Sequence, residues 1–343
     1  MTLVTSTGTF KKKDHWPRVS AGPDFNQLIL GHEGNLGVIT EAIIRIRPCP
    51  EVVNFGSIIF PSFEIGQKFM EEMSKQKLYP TSLRLVDNIQ FQFGQALKPA
   101  EPSRAKRIIN QIKKYYVLKV KGFKEDEMAA ATCLFEGPKE LCEMQEREMM
   151  EIAKKYNGLA GGAENGIKGY QLTYMIAYIR DFCLLNGVVA ESFETSCPWS
   201  QVGSLCKNVR QGILDACAVH GLAGKDVFIS FRVTQLYETG AAVYVYFSLK
   251  YDKFPLDKVC DVYEDVEHRS REVVMQYGGS ISHHHGVGKL RKRFMENSFV
   301  DVKMQQQMMG GIKKAVDPLN IFGVSNTLYR DEAERKQDLE HKV

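Results

Sequence analysis

From Val53 to Tyr277 the chain alternates between short apolar runs of period two and long amphipathic runs of period 3.6, and that alternation restricts its fold more than any other feature. Val53 to Phe60, Ser82 to Val86, Ala131 to Glu136, Val227 to Thr234 and Ala242 to Tyr251 read as strands. Phe63 to Lys77 puts Ile65, Phe69 and Met73 on one helical face. Arg104 to Tyr116, Lys139 to Lys155, Trp199 to His220 and Leu256 to Tyr277 read as further helices, the last stopped by Gly278-Gly279. Val38 to Ile46 reads as a strand closed by Pro48 and Pro50, and Met304 to Val316 as a helix broken at Asp317-Pro318. Gly158 to Gly166 reads as a turn or mobile loop. Gly169 to Arg180 is aromatic-rich with helical spacing and stays unassigned. Strands and helices mixed in this way place the chain in the α/β or α+β class.

The length of 343 residues suits two or three domains. Lys plus Arg is 45 and Asp plus Glu is 41, and the net charge of +4 is too mild to argue for nucleic acid. No apolar run approaches the roughly 20 residues of a membrane span. The eight cysteines are scattered without a CxxC pair, so they read as reduced thiols rather than a disulfide framework or zinc site. The N-terminal stretch, with Lys11-Lys12-Lys13, lacks the apolar core of a secretory signal. The last residues are not a peroxisomal tripeptide, and Asp331 to Val343 reads as a charged tail or frayed helix.

Gly31, Gly34 and Gly37 stand three apart just before a strand. Glycine lets such a loop turn tightly and approach a ligand closely, and its amide N–H groups can point at an anion or at ring acceptors. A plain tight turn explains the same spacing. The pattern is not the dinucleotide fingerprint, because a strand rather than a helix follows.

Ser282-His283-His284-His285-Gly286-Val287-Gly288-Lys289 is the most unusual stretch. On a strand His283 and His285 would face one way and His284 the other. Three readings stand: a metal site with His-x-His spacing, structural or solvated histidines, and a catalytic or phosphate-facing cluster. Lys289, Arg291, Lys292 and Arg293 add positive charge for the third, and no carboxylate or thiolate lies in the motif for the first.

Tyr244 and Tyr246 share one face of a strand, where core packing is the plain explanation. Arg180 is most simply paired with a neighbouring acid. Arg84, within Leu83-Arg84-Leu85, is a charge inside an apolar strand and needs a partner or a ligand.

Read together, GHEGNLGVITEA (31–42), SLRLVDN (82–88), QFQFGQALKP (90–99), GYQLTYMIAYIRD (169–181), ESFETSCPW (191–199), RVTQLYETGA (232–241), GGSISHHHGVGKLRK (278–292) and DPLNIFG (317–323) resemble the alkylglycerone-phosphate synthase family of ether-lipid synthesis. That family lies within the vanillyl-alcohol-oxidase type of FAD enzymes, which usually has Ser and Thr where this chain has His32 and Asn35. The resemblance implies the C-terminal part of that FAD fold. Residues 1–50 would be a remnant of the FAD-binding domain. Residues 51–280 would be a substrate cap on a mixed or antiparallel sheet covered by helices, and 281–343 the histidine loop and a C-terminal helical segment.

It also implies FAD as cofactor, with 1-acyl-dihydroxyacetone phosphate and a fatty alcohol as substrates, exchanged without net redox. By motif, the family's proton-handling tyrosine falls on Tyr244 and its substrate-phosphate arginine on Arg180. Its essential histidines fall on His283, His284 and His285, and its functional arginine beside the flavin on Arg84. The flavin-contacting loop falls on Gly31, His32, Glu33, Gly34, Asn35, Leu36 and Gly37. No metal and no nucleic acid are implied. A homodimer, peripheral membrane association and a peroxisomal location are. The likeness runs from about Pro17 to about Asn326, the C-terminal half of the family's chain, without its pyrophosphate-gripping loops or targeting segment. A truncated form, inactive by itself, is therefore expected. Two rival functions stay open: an FAD-dependent 2-hydroxy-acid dehydrogenase sharing the glycine loop, and a non-catalytic chain that pairs with a full-length subunit.

Overall fold

The computed structural model describes residues 1–13, 19–77, 79–97 and 103–327. The charged tail expected over Asp331 to Val343 lies outside the described residues. In chain order the elements are β1 (Thr2–Val4), β2 (Thr9–Lys11), α1 (Phe25–Ile29), β3 (Val38–Glu41), β4 (Val52–Phe60), α2 (Phe63–Lys75), β5 (Ser82–Val86), α3 (Asn88–Ala96) and α4 (Arg104–Tyr115). A π-helical turn, Tyr116–Val120, continues α4. Then come β6 (Ala129–Gly137), α5 (Lys139–Lys155), β7 (Leu159–Ala160), α6 (Ala163–Leu185), β8 (Val188–Pro198), α7 (Trp199–Val219), β9 (Val227–Leu236), β10 (Gly240–Lys250), α8 (Leu256–Gln276) and α9 (Val302–Val316).

These elements form two units. Residues 1–48 and 281–343 make the first, and Cys49–Ser280 the second. The first has a small antiparallel sheet in the order β2-β1-β3. Leu3, Ile29 and Leu36 are its buried core, with Phe10, Met309, Ile312 and Val316 packed around them. The strand expected over Val38 to Ile46 ends at Glu41, the last residue paired with β1.

The second unit is built on a seven-stranded sheet in the order β7-β4-β6-β5-β9-β10-β8, antiparallel at every pairing. Register explains how one sheet has two unlike faces. Ile58, Ala131, Leu85, Val233 and Val243 are paired in sequence across five strands, and all are buried. Because side chains alternate along a strand, the next residues point the other way. Ser57, Thr132 and Arg84 stand in one such row, and Arg232, Tyr244 and Glu194 in another.

Helices α2, α5 and α7 cover the apolar face, with α8 packed on α7 and reaching β8 and β10. Helix α2 begins where the Ser62 hydroxyl accepts from the Ile65 amide, a local start signal written in the sequence. Its Phe69 meets Phe60 of β4 at 4.9 Å, and Tyr263 of α8 stacks on Phe247 of β10 at 5.7 Å. Helices α5, α7 and α8 each follow a proline, Pro138, Pro198 and Pro255, whose fixed backbone opens a helix at no cost in hydrogen bonds.

Helix α6 lies on the other face, against β4, β6 and β8. It starts at Ala163, so the turn expected over Gly158 to Gly166 instead holds β7 and the first helical turn. The unassigned Gly169–Arg180 segment is helix throughout. Two glycines allow the close approach. A Cβ on Gly166 would stand 2.5 Å from the Gly56 carbonyl oxygen, and one on Gly169 2.6 Å from the Thr132 methyl. The opposite stripe of α6, Tyr174, Tyr178, Phe182 and Leu185, is exposed.

Candidate active site

Within the second unit the polar face of the sheet gathers the charged and phenolic groups. Arg84 is half-buried on β5 and donates to the Thr173 hydroxyl of α6 at 2.9 Å. Its guanidinium lies 4.5 Å over the Tyr170 ring of the same helix. The partner that a charge in an apolar strand requires is thus supplied by α6. Next to it, Arg232 on β9 is buried, and its guanidinium faces the rings of Tyr244 and Tyr246 at 5.4 and 5.0 Å. It also donates to the Tyr246 hydroxyl. Its Nε is buried with no hydrogen-bond partner among the described residues. Tyr244 and Tyr246 stack at 5.6 Å with planes 19° apart.

Electrostatics follow from this packing. Burial pushes the Tyr244 and Tyr246 phenols above the ordinary range, while Arg232 and Arg84 pull them back. Glu194, buried on β8 directly across from Tyr244, pushes Tyr244 up further. Burial in turn lowers Arg232. Among the described residues neither Arg84 nor Arg232 forms an ion pair, so two guanidiniums face this side of the sheet with their charge uncompensated by a carboxylate contact. Such a face suits an anionic, proton-exchanging substrate.

Arg180, on the far half of α6, is half-exposed and lies 3.9 Å from Asp181 and 3.8 Å from Glu191 of edge strand β8. The plain expectation of acid neighbours describes its present geometry.

In the first unit the glycine loop and the histidine loop are tied together. Both Glu33 carboxylate oxygens accept at 2.7 Å, one from the Val287 amide and one from the Gly288 amide. Gly286 is required beside them: its φ is 81°, and a Cβ there would stand 2.8 Å from the Glu33 carboxylate. The Ser282 hydroxyl accepts from the Gly286 amide, and Arg291 donates to the Gly286 carbonyl. The histidines therefore sit in a bent loop rather than on a strand. Their alternation fails accordingly. His283 and His284 bring their Nδ1 atoms to 2.7 Å, and the rings of His284 and His285 meet edge to face at 4.8 Å.

The glycine loop departs from the expectation of amides aimed at an anion. The buried His32 imidazole accepts through Nδ1 from the amides of Gly34 and Leu36. Burial lowers the pKa of His32, which keeps it neutral and able to accept. The His32 amide donates to Ile29, and the Asn35 amide to the His32 carbonyl. The Asn35 side-chain amide donates to the carbonyls of His32 and Asn326, and the Asn35 backbone carbonyl accepts from the Lys313 ammonium. No two successive amides from His32 to Leu36 remain for a pyrophosphate. Gly31, where a Cβ would meet nothing within 4 Å, leaves open backbone on which a planar ring can lie. The amides of His32, Gly34, Asn35 and Leu36 are thus all engaged within the unit.

Sequence reasoning passed over Arg232 and Glu194, although a charge inside Phe231-Arg232-Val233 carries the same signal that singled out Arg84. It placed Glu33 among cofactor contacts; in the structure both of its carboxylate oxygens brace the histidine loop.

Comparison with known proteins adds four findings. The family described as "FAD linked oxidases, C-terminal domain" matches residues 49–324. The alkyldihydroxyacetonephosphate synthase of Caenorhabditis elegans is 44% identical over 330 residues, covering 96% of this chain and 54% of the nematode protein. That of Dictyostelium discoideum is 26% identical, covering 93% and 50%. A solved alkyldihydroxyacetonephosphate synthase superposes with a TM-score of 0.72 at 23% identity, over 93% of this chain and 52% of that one, and so shares the fold. The chain spans about half the length of the curated relatives it matches.

Proposed function

The chain belongs to the family of FAD-linked oxidase C-terminal domains, and from that premise we propose that it carries the substrate-handling part of an alkyldihydroxyacetonephosphate synthase. The reaction is exchange of the acyl chain of 1-acyl-dihydroxyacetone phosphate for a fatty alcohol, without net redox. The observation that carries this reading is the 44% identity to the nematode synthase along 96% of the chain.

The polar sheet face supports it chemically. The exchange needs a proton taken from and returned to the substrate carbon, and Tyr244, framed by Arg232 and Glu194 in register, is the group for that task. Arg180, half-exposed with two acids at 3.8–3.9 Å rather than in close pairing, is able to take a phosphate in their place. Arg84 is held by Thr173 and Tyr170 as a fixed cation. FAD, when bound, supplies a nucleophilic ring nitrogen, and the open backbone at Gly31 is where this chain would meet the ring's edge. His283, His284 and His285 serve as proton carriers on the loop braced by Glu33.

The test is a labelled exchange. Set in place of the matching segment of the nematode synthase and incubated with FAD, 1-palmitoyl-dihydroxyacetone phosphate and deuterated hexadecanol, the chain is expected to release palmitate and form deuterated alkyl-dihydroxyacetone phosphate. Bleaching of the flavin by a 2-hydroxy acid, with no exchange, would replace this function by the dehydrogenase one.

Peripheral membrane association belongs to the same proposal, and helix α4 supports it. No residue of α4 is buried. Ala105, Ile108, Ile109, Ile112, Tyr115 and Tyr116 fall within an arc of roughly 120°, and Ile108, Ile109, Ile112 and Tyr115 are 50% to 64% exposed. Lys106, Arg107, Lys113 and Lys114 occupy the opposite arc, and no Asp or Glu lies between Arg104 and Lys121. A helix with this division lies in the surface of an anionic bilayer rather than across it. No helix among the described residues is long and apolar enough to cross a membrane. Flotation with phosphatidylserine vesicles, lost on Ile109→Asp, is the expected result. On family grounds the compartment is the peroxisome and the assembly a homodimer.

A further inference from the structure

Three strands of the sheet contribute one polar residue each to a single row: Glu194 of β8, Tyr244 of β10 and Arg232 of β9, paired in register. Directly opposed residues on one face stand about 5 Å apart at their Cβ atoms, so Tyr244 sits between a carboxylate and a guanidinium by backbone geometry alone. One step along β10, Tyr246 stacks on Tyr244 and accepts a hydrogen bond from Arg232. The Arg232 side chain is thus fixed at its tip, and its charge is held against both rings.

A buried arginine whose Nε makes no hydrogen bond is expensive as a purely structural element. An apolar side chain of similar length would fill the site without that penalty. The charge is better explained by what it does to the phenol beside it. We propose that Arg232 is the positioning residue for Tyr244. It is anchored by the Tyr246 hydroxyl, holds the stacked phenols in place, and stabilises the deprotonated form of Tyr244 against the opposing carboxylate of Glu194.

The charged groups near Tyr244 act in both directions. Arg232 and, diagonally across β5, Arg84 favour the phenolate. Glu194 and burial disfavour it. Arg84 of β5 is engaged by Tyr170 and Thr173 of α6, and Arg180 of α6 by Asp181 of the same helix and Glu191 of β8. Arg232 is the cation whose guanidinium lies on the Tyr244 ring.

This inference deepens the proposed function but is tested without it. The full chain is labelled with 3-fluorotyrosine, whose ring fluorine strengthens the phenol and brings its ionisation into the range that a folded protein tolerates. The Tyr244 resonance is assigned by its loss in Tyr244→Phe. In Arg232→Met its midpoint is expected to rise by about one pH unit, a tenfold weaker acid. In Arg232→Lys, which keeps the charge, it should move by less than a third of that. Tyr246→Phe frees the guanidinium and should give an intermediate rise. A midpoint unmoved in Arg232→Met, or moved equally by Met and Lys, overturns the proposal. Should Arg232→Met fail to fold, Tyr246→Phe decides: no shift there overturns it as well. The readout needs neither flavin nor substrate. A shift found together with no alkyl exchange in the hybrid with the nematode synthase would therefore sink the function and leave the positioning role standing.

Discussion

The two faces of the seven-stranded sheet are made from alternate residues of the same strands, yet they differ in kind. Toward α2, α5 and α7, Phe60, Phe69, Leu85, Phe231 and Val243 interlock with no polar atom among their side chains. Toward α6 the strands present Arg84, Arg232, Tyr244 and Glu194, and a buried guanidinium nitrogen is left without a hydrogen bond. The first face is what folding requires, since apolar burial drives it. The second opposes folding, because desolvated charge costs free energy unless fully partnered. The proposed chemistry is assigned to this second face because its charges have no such folding role.

The sharpest way to break that contrast is to attack the apolar face. Phe69→Ala should cost about 3–5 kcal/mol, because neighbours relax only partly into the cavity. The urea midpoint of the second unit measures it, and a loss well under 1 kcal/mol would mean that the core is not where the register puts it.

Next in size is the seam beneath α6. Gly166→Val pushes a side chain into the Gly56 backbone, which cannot swing aside as a side-chain tip could. A cost of about 3 kcal/mol, the upper end for overpacking, is expected in the same melt. Hydrogen exchange should show α6 loosened first.

A buried charge with all its partners sharpens the comparison from the other unit. Burial raises Asp317, but the Lys313 ammonium and the amides of Phe322 and Ile321 outweigh it and hold the carboxyl at about 2, against an ordinary 3.8. A depressed carboxyl stabilises the fold above its unfolded value and loses that contribution as pH falls toward the folded one. The first unit should thus lose about 2 kcal/mol between pH 5 and 2. Asp317→Asn should flatten that part of its acid titration.

Smallest for stability is Tyr244→Phe. The ring stack with Tyr246 survives, so unfolding should change by less than about 1 kcal/mol. Alkyl exchange should be abolished. Normal turnover in this variant would remove Tyr244 from the reaction.

What the sequence by itself determined is local. Ser82 to Val86 and Lys139 to Lys155 have the bounds that their periodicity predicts, because alternation and helical spacing are properties of neighbouring residues. The apolar half of each strand was legible for the same reason, as was the unease of Arg84 in Leu83-Arg84-Leu85. The motif resemblance singled out Tyr244, Arg180 and the three histidines, but not what touches them. Tertiary structure decided that α6 would be helix despite its glycines, since Gly166 and Gly169 are there for the sheet beneath them. It decided that Glu33, 254 positions from Val287, braces the histidine loop. It also decided that Arg232 and Glu194 flank Tyr244. Which residues meet across strands depends on register, and register is settled only when the whole apolar face is buried at once.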